Sequence, residues 1–346
     1  MDPVSVSAVI ATRNRPNSLR RVLRALESQV RPPEEVIVVD ASDQSEDPAE
    51  LARAYPGLAI RYFRTPANLS AQRNLGIQNA RGSHVLICDD DIEPAPDYLA
   101  SLIAHLDHNP ECGAVTGFIR DPDGAGIYRG EFPVPRLREV LLAFLFQRSL
   151  GGNLDAVRAP AVLAPVLELL RWWFRHRGNT WSLAGWPLIT QVHDSVVKAG
   201  VYYLGASLVR REWLLSSPYD ESLGPHSIGD NYGVATGLPK PLPIEILTNV
   251  PVTHHRDPLN RPAPEEAYYR RVLALNHFLR TRQLEPKANR LFLLWSLLGA
   301  IVSFAVRGRR NFLAVAMRAT ADVALSLFTR GYSTRPPQPP ANILAL

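Results

Sequence analysis

Residues 82–94 read GSHVLICDDDIEP. An apolar run, Val85-Leu86-Ile87-Cys88, stops at three consecutive carboxylates, Asp89, Asp90 and Asp91. A short apolar run with a glycine before it and charges after it reads as a strand buried on both faces. Like charges side by side repel, and the repulsion grows where water is scarce. The stretch therefore predicts an interior strand of a parallel sheet with an acidic cluster at its carboxyl end, the end at which ligands bind in open α/β sheets.

The segments around it keep the same rhythm. Val4 to Ala11 reads as a buried strand, and NSLRRVLRALESQ puts Leu19, Val22, Leu23 and Leu26 on one helical face. EEVIVVD is a strand ending in Asp40, and LAIRYFR alternates like a half-exposed strand. NLSAQRNLGIQNARG reads as a helix capped by Ser70 and stopped by Gly82. APDYLASLIAHLDHN is a further helix and CGAVTGFIR a further strand. Strands alternating with helices predict a doubly wound, mostly parallel sheet. In it, Asp40 and the Asp89–Asp91 cluster converge on one crevice.

The 346 residues suffice for one large α/β unit with additions, or for two domains. The formal charge of +5 is almost wholly arginine, because Lys198, Lys240 and Lys287 are the only lysines. That excess is spread along the chain without a dense basic tract, so a nucleic-acid partner is not expected. Cys88 and Cys112 stand outside any metal-ligand spacing and read as buried, reduced thiols. Strand-like sequence begins within a few residues of Met1, which leaves no room for a signal segment and makes a cytoplasmic protein the expectation. No internal repeat is found.

Three carboxylates after a buried strand ask for a compensating cation. They are hard oxygen ligands suited to Mg²⁺ or Mn²⁺, which commonly bind one or two carboxylates together with substrate phosphates. The plainer reading is a solvated loop leading into a helix, whose dipole favours acids.

The ordered set of these elements resembles family 2 glycosyltransferases. The similarity lies in SAVIATRNRPNSLRRVLRALESQVRPPEEVIVVDASDQS and in NLSAQRNLGIQNARGSHVLICDDDIEPAPDYL, about the first third of the chain. The later YLGASLVRREWLLSSPYDESLG is similar to the family's acceptor-side segment. The resemblance implies a GT-A fold: a Rossmann-like, mostly parallel central sheet flanked by helices, with a nucleotide-sugar donor half, expected over 1–120, fused to an acceptor half, expected over 191–262. The apolar helical stretches within 121–190 and 263–346 read as a helical insertion and a helical C-terminal extension.

Residue by residue, the resemblance implies that Thr12 and Arg15 wrap the nucleotide, unless they only build a turn. It places Asp40 on the nucleobase, although Ala41 follows where many members carry a second acid. Arg73 matches an arginine near the diphosphate and ribose. Asp89 and Asp91 match the Asp-x-Asp motif: Asp91 on the metal, Asp89 on ribose or the metal's water. Asp90 between them is assigned to nucleotide-sugar binding. The general base of inverting members stands in a Glu-Asp pair that opens a helix. Here HSIGDNYGVATGL supplies Asp230, with Gly229 in place of the glutamate and Asp220 and Glu221 as rivals.

His254 and His255 close a strand-like run, and neighbours in a strand point to opposite faces, so at most one faces the site. His254 is the assigned metal ligand. Gly205, Ala206 and Ser207 are small enough to floor an acceptor site, or simply to pack closely.

RWWFRHR, residues 171–177, has the mixed aromatic and basic character of a lipid headgroup interface. LFLLWSLLGAIVSFAV is short for a membrane span, which needs roughly 20 apolar residues. It reads as monotopic or buried, with a second amphipathic stretch from Leu313 to Phe328. The proline-rich tail STRPPQPPANILAL reads as loose.

The functional expectation is an inverting, metal-dependent transfer of a sugar from its nucleotide diphosphate to a hydroxyl of a glycan or lipid-linked acceptor. The cell-surface polysaccharide or glycolipid assembly of a membrane-peripheral enzyme is the expected setting. The alternative is a non-catalytic nucleotide-sugar-binding or scaffold protein on the same fold. A dinucleotide-dependent oxidoreductase is excluded, because ATRNRPNS lacks the glycine-rich turn that such cofactors need.

Overall fold

The computed structural model describes residues 4–122, 131–239, 242–282 and 289–328. The expected tail, 333–346, lies outside them. The chain opens as β1 (Val6–Thr12), α1 (Pro16–Glu27), β2 (Glu35–Asp40), α2 (Pro48–Ala54), β3 (Ile60–Arg64), α3 (Leu69–Asn79) and β4 (His84–Asp89). A two-residue turn at Asp90 and Asp91 leads to β5 (Ile92–Pro94), then α4 (Tyr98–His108) and β6 (Ala114–Arg120). β4 is the strand that GSHVLICDDDIEP predicts, and its apolar residues are all buried.

Two helices follow, α5 (Leu137–Leu145) and α6 (Ala164–Arg177), with the two-residue strands β7 (Leu150–Gly151) and β8 (Leu188–Ile189). They share a small apolar core of their own around Val140, Leu170 and Phe174. The sheet resumes with β9 (Val196–Ala199) and β10 (Ala206–Arg210), then α7 (Arg211–Ser216), α8 (Asp230–Gly237) and β11 (Ile244–His254). α9 (Pro264–Thr281), α10 (Arg290–Val306) and α11 (Arg310–Phe328) complete the described chain.

The strands lie in the order β3-β2-β1-β4-β10-β6-β11-β5, with β9 also on β11. β3 to β4 are parallel, as are β6 and β11; β10 runs antiparallel between β4 and β6. Alternate residues of the strands face two cores. Ala8, Ile10, Val38 and Leu86 pack under α1, α2 and α4. Val9, Val39, Val85 and Ile87 pack under α3, α8 and α9. β3 is half-exposed, as its alternation predicts.

One helix boundary differs from expectation. α3 is capped by Asn68, whose side chain accepts the Ala71 N–H at 3.2 Å. Ser70 lies inside the helix and its hydroxyl donates to Ser227 at 2.8 Å. Two adjacent polar residues can each cap, and the tertiary partner at Ser227 claims Ser70.

Candidate active site

The carboxyl ends of β1 and β4, the residues before β10, the start of α8 and the chain after β11 surround a cavity of about 380 Å³. Its lining includes Thr12, Arg15, Arg73, Asp89, Asp90, Asp91, Asp230 and His254. Residues far apart in sequence thus meet where an open α/β sheet binds its ligands.

Each acid of the trio has its own protein cation. Asp89 accepts from Arg73 at 2.5 Å and from the Tyr203 hydroxyl. Asp90 accepts from the Thr12 hydroxyl at 2.8 Å and from Arg15 at 2.9 Å. Burial nevertheless raises the Asp90 carboxyl to about 6, with Arg15 opposing. Asp91 accepts from the Asp257 N–H at 3.0 Å and from Arg261, and its Oδ1 stands 3.3 Å from His254 Nε2. Burial works against the charged form there too, but the hydrogen bond and charge of His254, then Arg261 and Arg15, hold Asp91 well below the usual carboxylate range. His254 sits between Asp91 and Asp121, whose Oδ1 lies 2.8 Å from Nδ1. Burial disfavours its imidazolium, but the two acids prevail and raise it to about 9. Arginine and histidine therefore resolve the repulsion that the sequence poses.

Asp230 is the first residue of α8, after Gly229. Its Oδ1 accepts the Asn231 N–H at 2.7 Å and its Oδ2 accepts from Arg73. Burial raises its pKa, and Arg73 only partly offsets this. Arg73 is itself buried, lies over the Tyr219 ring at 5.1 Å, and ties Asp230 to Asp89. Its guanidinium is committed to two carboxylates, so it holds the acids in place.

The rivals lie elsewhere. Asp220 caps a single 3₁₀ turn and pairs with His277 at 2.7 Å, and Glu221 accepts from Asn74 at 2.9 Å. Asp40 also stands off the cavity lining. Its carboxylate accepts the Ser42 N–H at 2.7 Å and the Tyr62 hydroxyl, which makes it the anchor of the turn after β2. Of the two histidines, His254 lines the cavity while His255 pairs with Glu93 at 2.7 Å, as strand alternation requires. Of the three small residues, Gly205 lines the cavity; a Cβ there would stand 2.4 Å from Asp89 Oδ2. Ala206 and Ser207 are buried within β10.

Asp91 Oδ1 and His254 Nε2, 3.3 Å apart, could share a divalent cation that displaces the proton held on His254 by Asp91 and Asp121. Asp89, the third expected ligand, faces Arg73 and Tyr203 in this arrangement. Among the described residues, the His/Cys/Asp/Glu trio whose ligand atoms all lie within 4.8 Å is instead His105, Cys112 and Glu245. There Lys198, 2.9 Å from Glu245, already supplies the positive charge.

The sequence reading missed Arg13, Arg261 and Arg271, which also line the cavity, and Tyr203. Buried Nε of Arg13 has no hydrogen-bond partner. Five arginines face four aspartates here, a balance that suits an anionic ligand. Arg13 adjoins Thr12 in the quoted opening motif and could have been found there. Arg261 carries no signal beyond its place shortly after His254.

Residues 7–155 match the family model for "Glycosyl transferase family 2". The chain is 37% identical over 108 residues to the hyaluronan synthase of Pasteurella multocida, which is 30% of this chain and 11% of that protein. It is 29% identical over 106 residues to the uncharacterized glycosyltransferase YwdF of Bacillus subtilis (strain 168), of which it covers 39%. The chain thus spans well under half the length of these relatives. Among solved structures, S. aureus TarS 1-349 in complex with UDP-GlcNAc superposes with a TM-score of 0.53 at 13% identity, over 93% of this chain and 83% of that one. GalNAc-T7 with UDP, GalNAc and Mn²⁺ gives 0.51 at 15% identity, over 79% and 48%. Residues 7–155 therefore match glycosyl transferase family 2, and the fold that gathers the strand-end acids is GT-A.

Proposed function

We propose that the protein transfers a sugar from a nucleotide diphosphate to an acceptor hydroxyl with inversion. The observation that carries this reading is the cavity itself: strand-end acids, arginines and a separate buried carboxylate, Asp230, on one wall-to-wall space of about 380 Å³. Cavities of roughly this size suit ligands of a few hundred daltons and upward.

In the proposed reaction the acceptor oxygen bonds to the anomeric carbon as the bond from that carbon to the β-phosphate oxygen breaks. The acceptor's proton goes to Asp230, and the nucleoside diphosphate leaves with the bonding pair. Burial has already raised the basicity of Asp230, as a general base needs. Arg73 positions it. A Mg²⁺ or Mn²⁺ held by Asp91 and His254 would, when bound, supply positive charge to the departing diphosphate. Arg13 and Arg261 would hold phosphate oxygens, and Thr12 and Arg15 keep Asp90 in place beneath them. Asp40 would support the nucleotide side through its turn.

Support for a membrane-peripheral setting comes from the outer helices. Leu291, Trp295, Leu298, Val302 and Val306 make one exposed stripe on α10, and Val162, Val166, Leu169 and Trp172 another along α6 and the turn before it. Arg307, Arg309 and Arg310 follow α10. α11 is 19 residues long with mean hydropathy 1.3, enough to cross a membrane by length and composition. Its Asp322, however, accepts from Tyr269 at 2.6 Å and its Arg318 lies over the same ring at 4.5 Å, so α11 packs on α9. A lipid-linked or membrane-proximal glycan, as in surface polysaccharide assembly, is the acceptor this favours.

The test is a panel of nucleotide sugars with Mn²⁺, read by binding and by sugar release or transfer. Wild type should bind one donor in a Mn²⁺-dependent way, and Asp91→Ala should abolish that dependence. Asp230→Asn should keep donor affinity and lose about 10²–10⁴-fold in turnover. Full turnover in Asp230→Asn would overturn the base; donor binding without any turnover in wild type would favour the non-catalytic alternative.

A further inference from the structure

A second cavity, of about 220 Å³, adjoins the first and shares Tyr232 and Arg271 with it. Its other walls are Arg148 just after α5, Trp186, Tyr268 of α9, and the inward face of α10. Tyr232 stands two residues beyond Asp230 on α8, so one helix borders both the proposed base and the second cavity.

Arg148 and the exposed Arg271 differ from the arginines that hold the acids of the first cavity. Neither has a carboxylate or hydrogen-bond partner among the described residues, whereas Arg15, Arg73 and Arg261 are all paired. Arg148 is half-buried. Burial disfavours its charge and nearby Arg307 adds repulsion. A guanidinium kept in such surroundings without a counter-ion is destabilising unless an anion completes it. Its planar donor fork suits a phosphate.

What the anion is attached to follows from α10. The end of α5 is fastened to this helix: Trp295 donates to the Leu145 carbonyl at 2.7 Å, and the Phe146 ring lies against Gly299, where a Cβ would come within 2.3 Å of it. Arg148 therefore sits at the edge of α10. Ser296, Leu297 and Ala300 face the cavity, while Trp295, Leu298 and Val302 face outward, 42%, 48% and 56% exposed. The anion site and an exposed apolar stripe thus occupy two sides of one helix, and the helix ends in the basic turn Arg307–Arg310.

We propose that the second cavity is the acceptor subsite, and that Arg148 and Arg271 hold the phosphate by which a lipid carries the acceptor sugar. The proposal rests on the glycosyl-transfer reading above and deepens it. The aromatic rings of Trp186, Tyr232 and Tyr268 flank the sugar, and the hydrocarbon runs out along α10 toward the bilayer.

The experiment is calorimetric titration of the full chain with farnesyl phosphate, farnesol and glycerol phosphate, and separately with UDP and Mn²⁺. Farnesyl phosphate should bind at least about tenfold more tightly than either single-featured probe. Arg148→Gln should reduce it to the level of farnesol, Arg148→Lys should restore part, and thermal melting should show both variants folded. UDP affinity should be the same in all three proteins. Farnesyl phosphate binding no better than farnesol, or an undiminished preference in Arg148→Gln, overturns the subsite. Glycerol phosphate binding as tightly as farnesyl phosphate overturns the lipid carrier. Loss of UDP binding with farnesyl phosphate binding intact strikes the donor reading and leaves the subsite standing.

Discussion

Gly229 precedes Asp230 at the entry to α8, and its backbone requires a glycine. It has φ +90°, and a Cβ there would meet the Ala274 Cβ at 2.8 Å. Left-handed backbone costs an L-residue about 1–2 kcal/mol, and the contact adds to that. Gly229→Ala should lose about 1–3 kcal/mol in urea unfolding, and Ala274→Gly should recover the steric part. Asp230 keeps its place because α8 needs this tight entry. A second residue-scale effect lies outside the cavity. His84 is buried at the start of β4, its Nε2 has no hydrogen-bond partner, and burial with nearby Arg210 lowers it to about 4. The unfolded chain takes up a proton near the ordinary 6.5 and the folded chain does not until about 4. The part of the stability that depends on neutral His84 should therefore be full above pH 6.5 and be lost as pH drops toward 4. His84→Leu should flatten that part of a melting-temperature profile, and an unchanged slope would remove His84 as its cause.

At the scale of elements, Tyr98 joins a helix to two strands. From the first turn of α4 its hydroxyl donates to the Ala206 carbonyl of β10 at 2.6 Å and accepts the Gly117 N–H of β6 at 2.9 Å. β10 is the strand that reverses direction between the sheet's two parallel parts, so this hydroxyl fastens the junction. Tyr98→Phe leaves two buried backbone groups unsatisfied and should cost about 2–4 kcal/mol without changing UDP affinity. α10 makes the opposite case. Leu298 and Val302 of its exposed stripe lie outside the packed core, so Leu298→Glu with Val302→Glu should leave the melting temperature nearly unchanged. The same pair should abolish sedimentation with anionic vesicles, if that face docks on lipid as proposed.

For the whole molecule, the acid trio, Asp230 and His254 come from three separate parts of the chain and meet because β4, β10, β6 and β11 lie side by side. Apolar runs of period two and helices of period 3.6 made the N-terminal half of this sheet legible. Asp230 was legible as a helix-opening acid, and His254 as one of two alternating strand residues. The protein partners of Asp89 and Arg73 were not legible. Which side chain neutralises which acid depends on rotamers and distances between elements far apart in sequence, and no local period encodes these.

The sequence by itself determined the strand-and-helix order, the acidic end of β4 and the family. Burial patterns are local, and the motif residues follow one another closely in the chain. The tertiary structure alone decided that Arg73 joins Asp89 to Asp230, that Arg15 holds Asp90 and Arg261 holds Asp91, that Asp40 anchors a turn, and that Arg148 and Arg271 stand without acids among the described residues beside a second cavity. Ion pairing falls off over a few ångströms, so it is settled only when the folded sheet has set those distances.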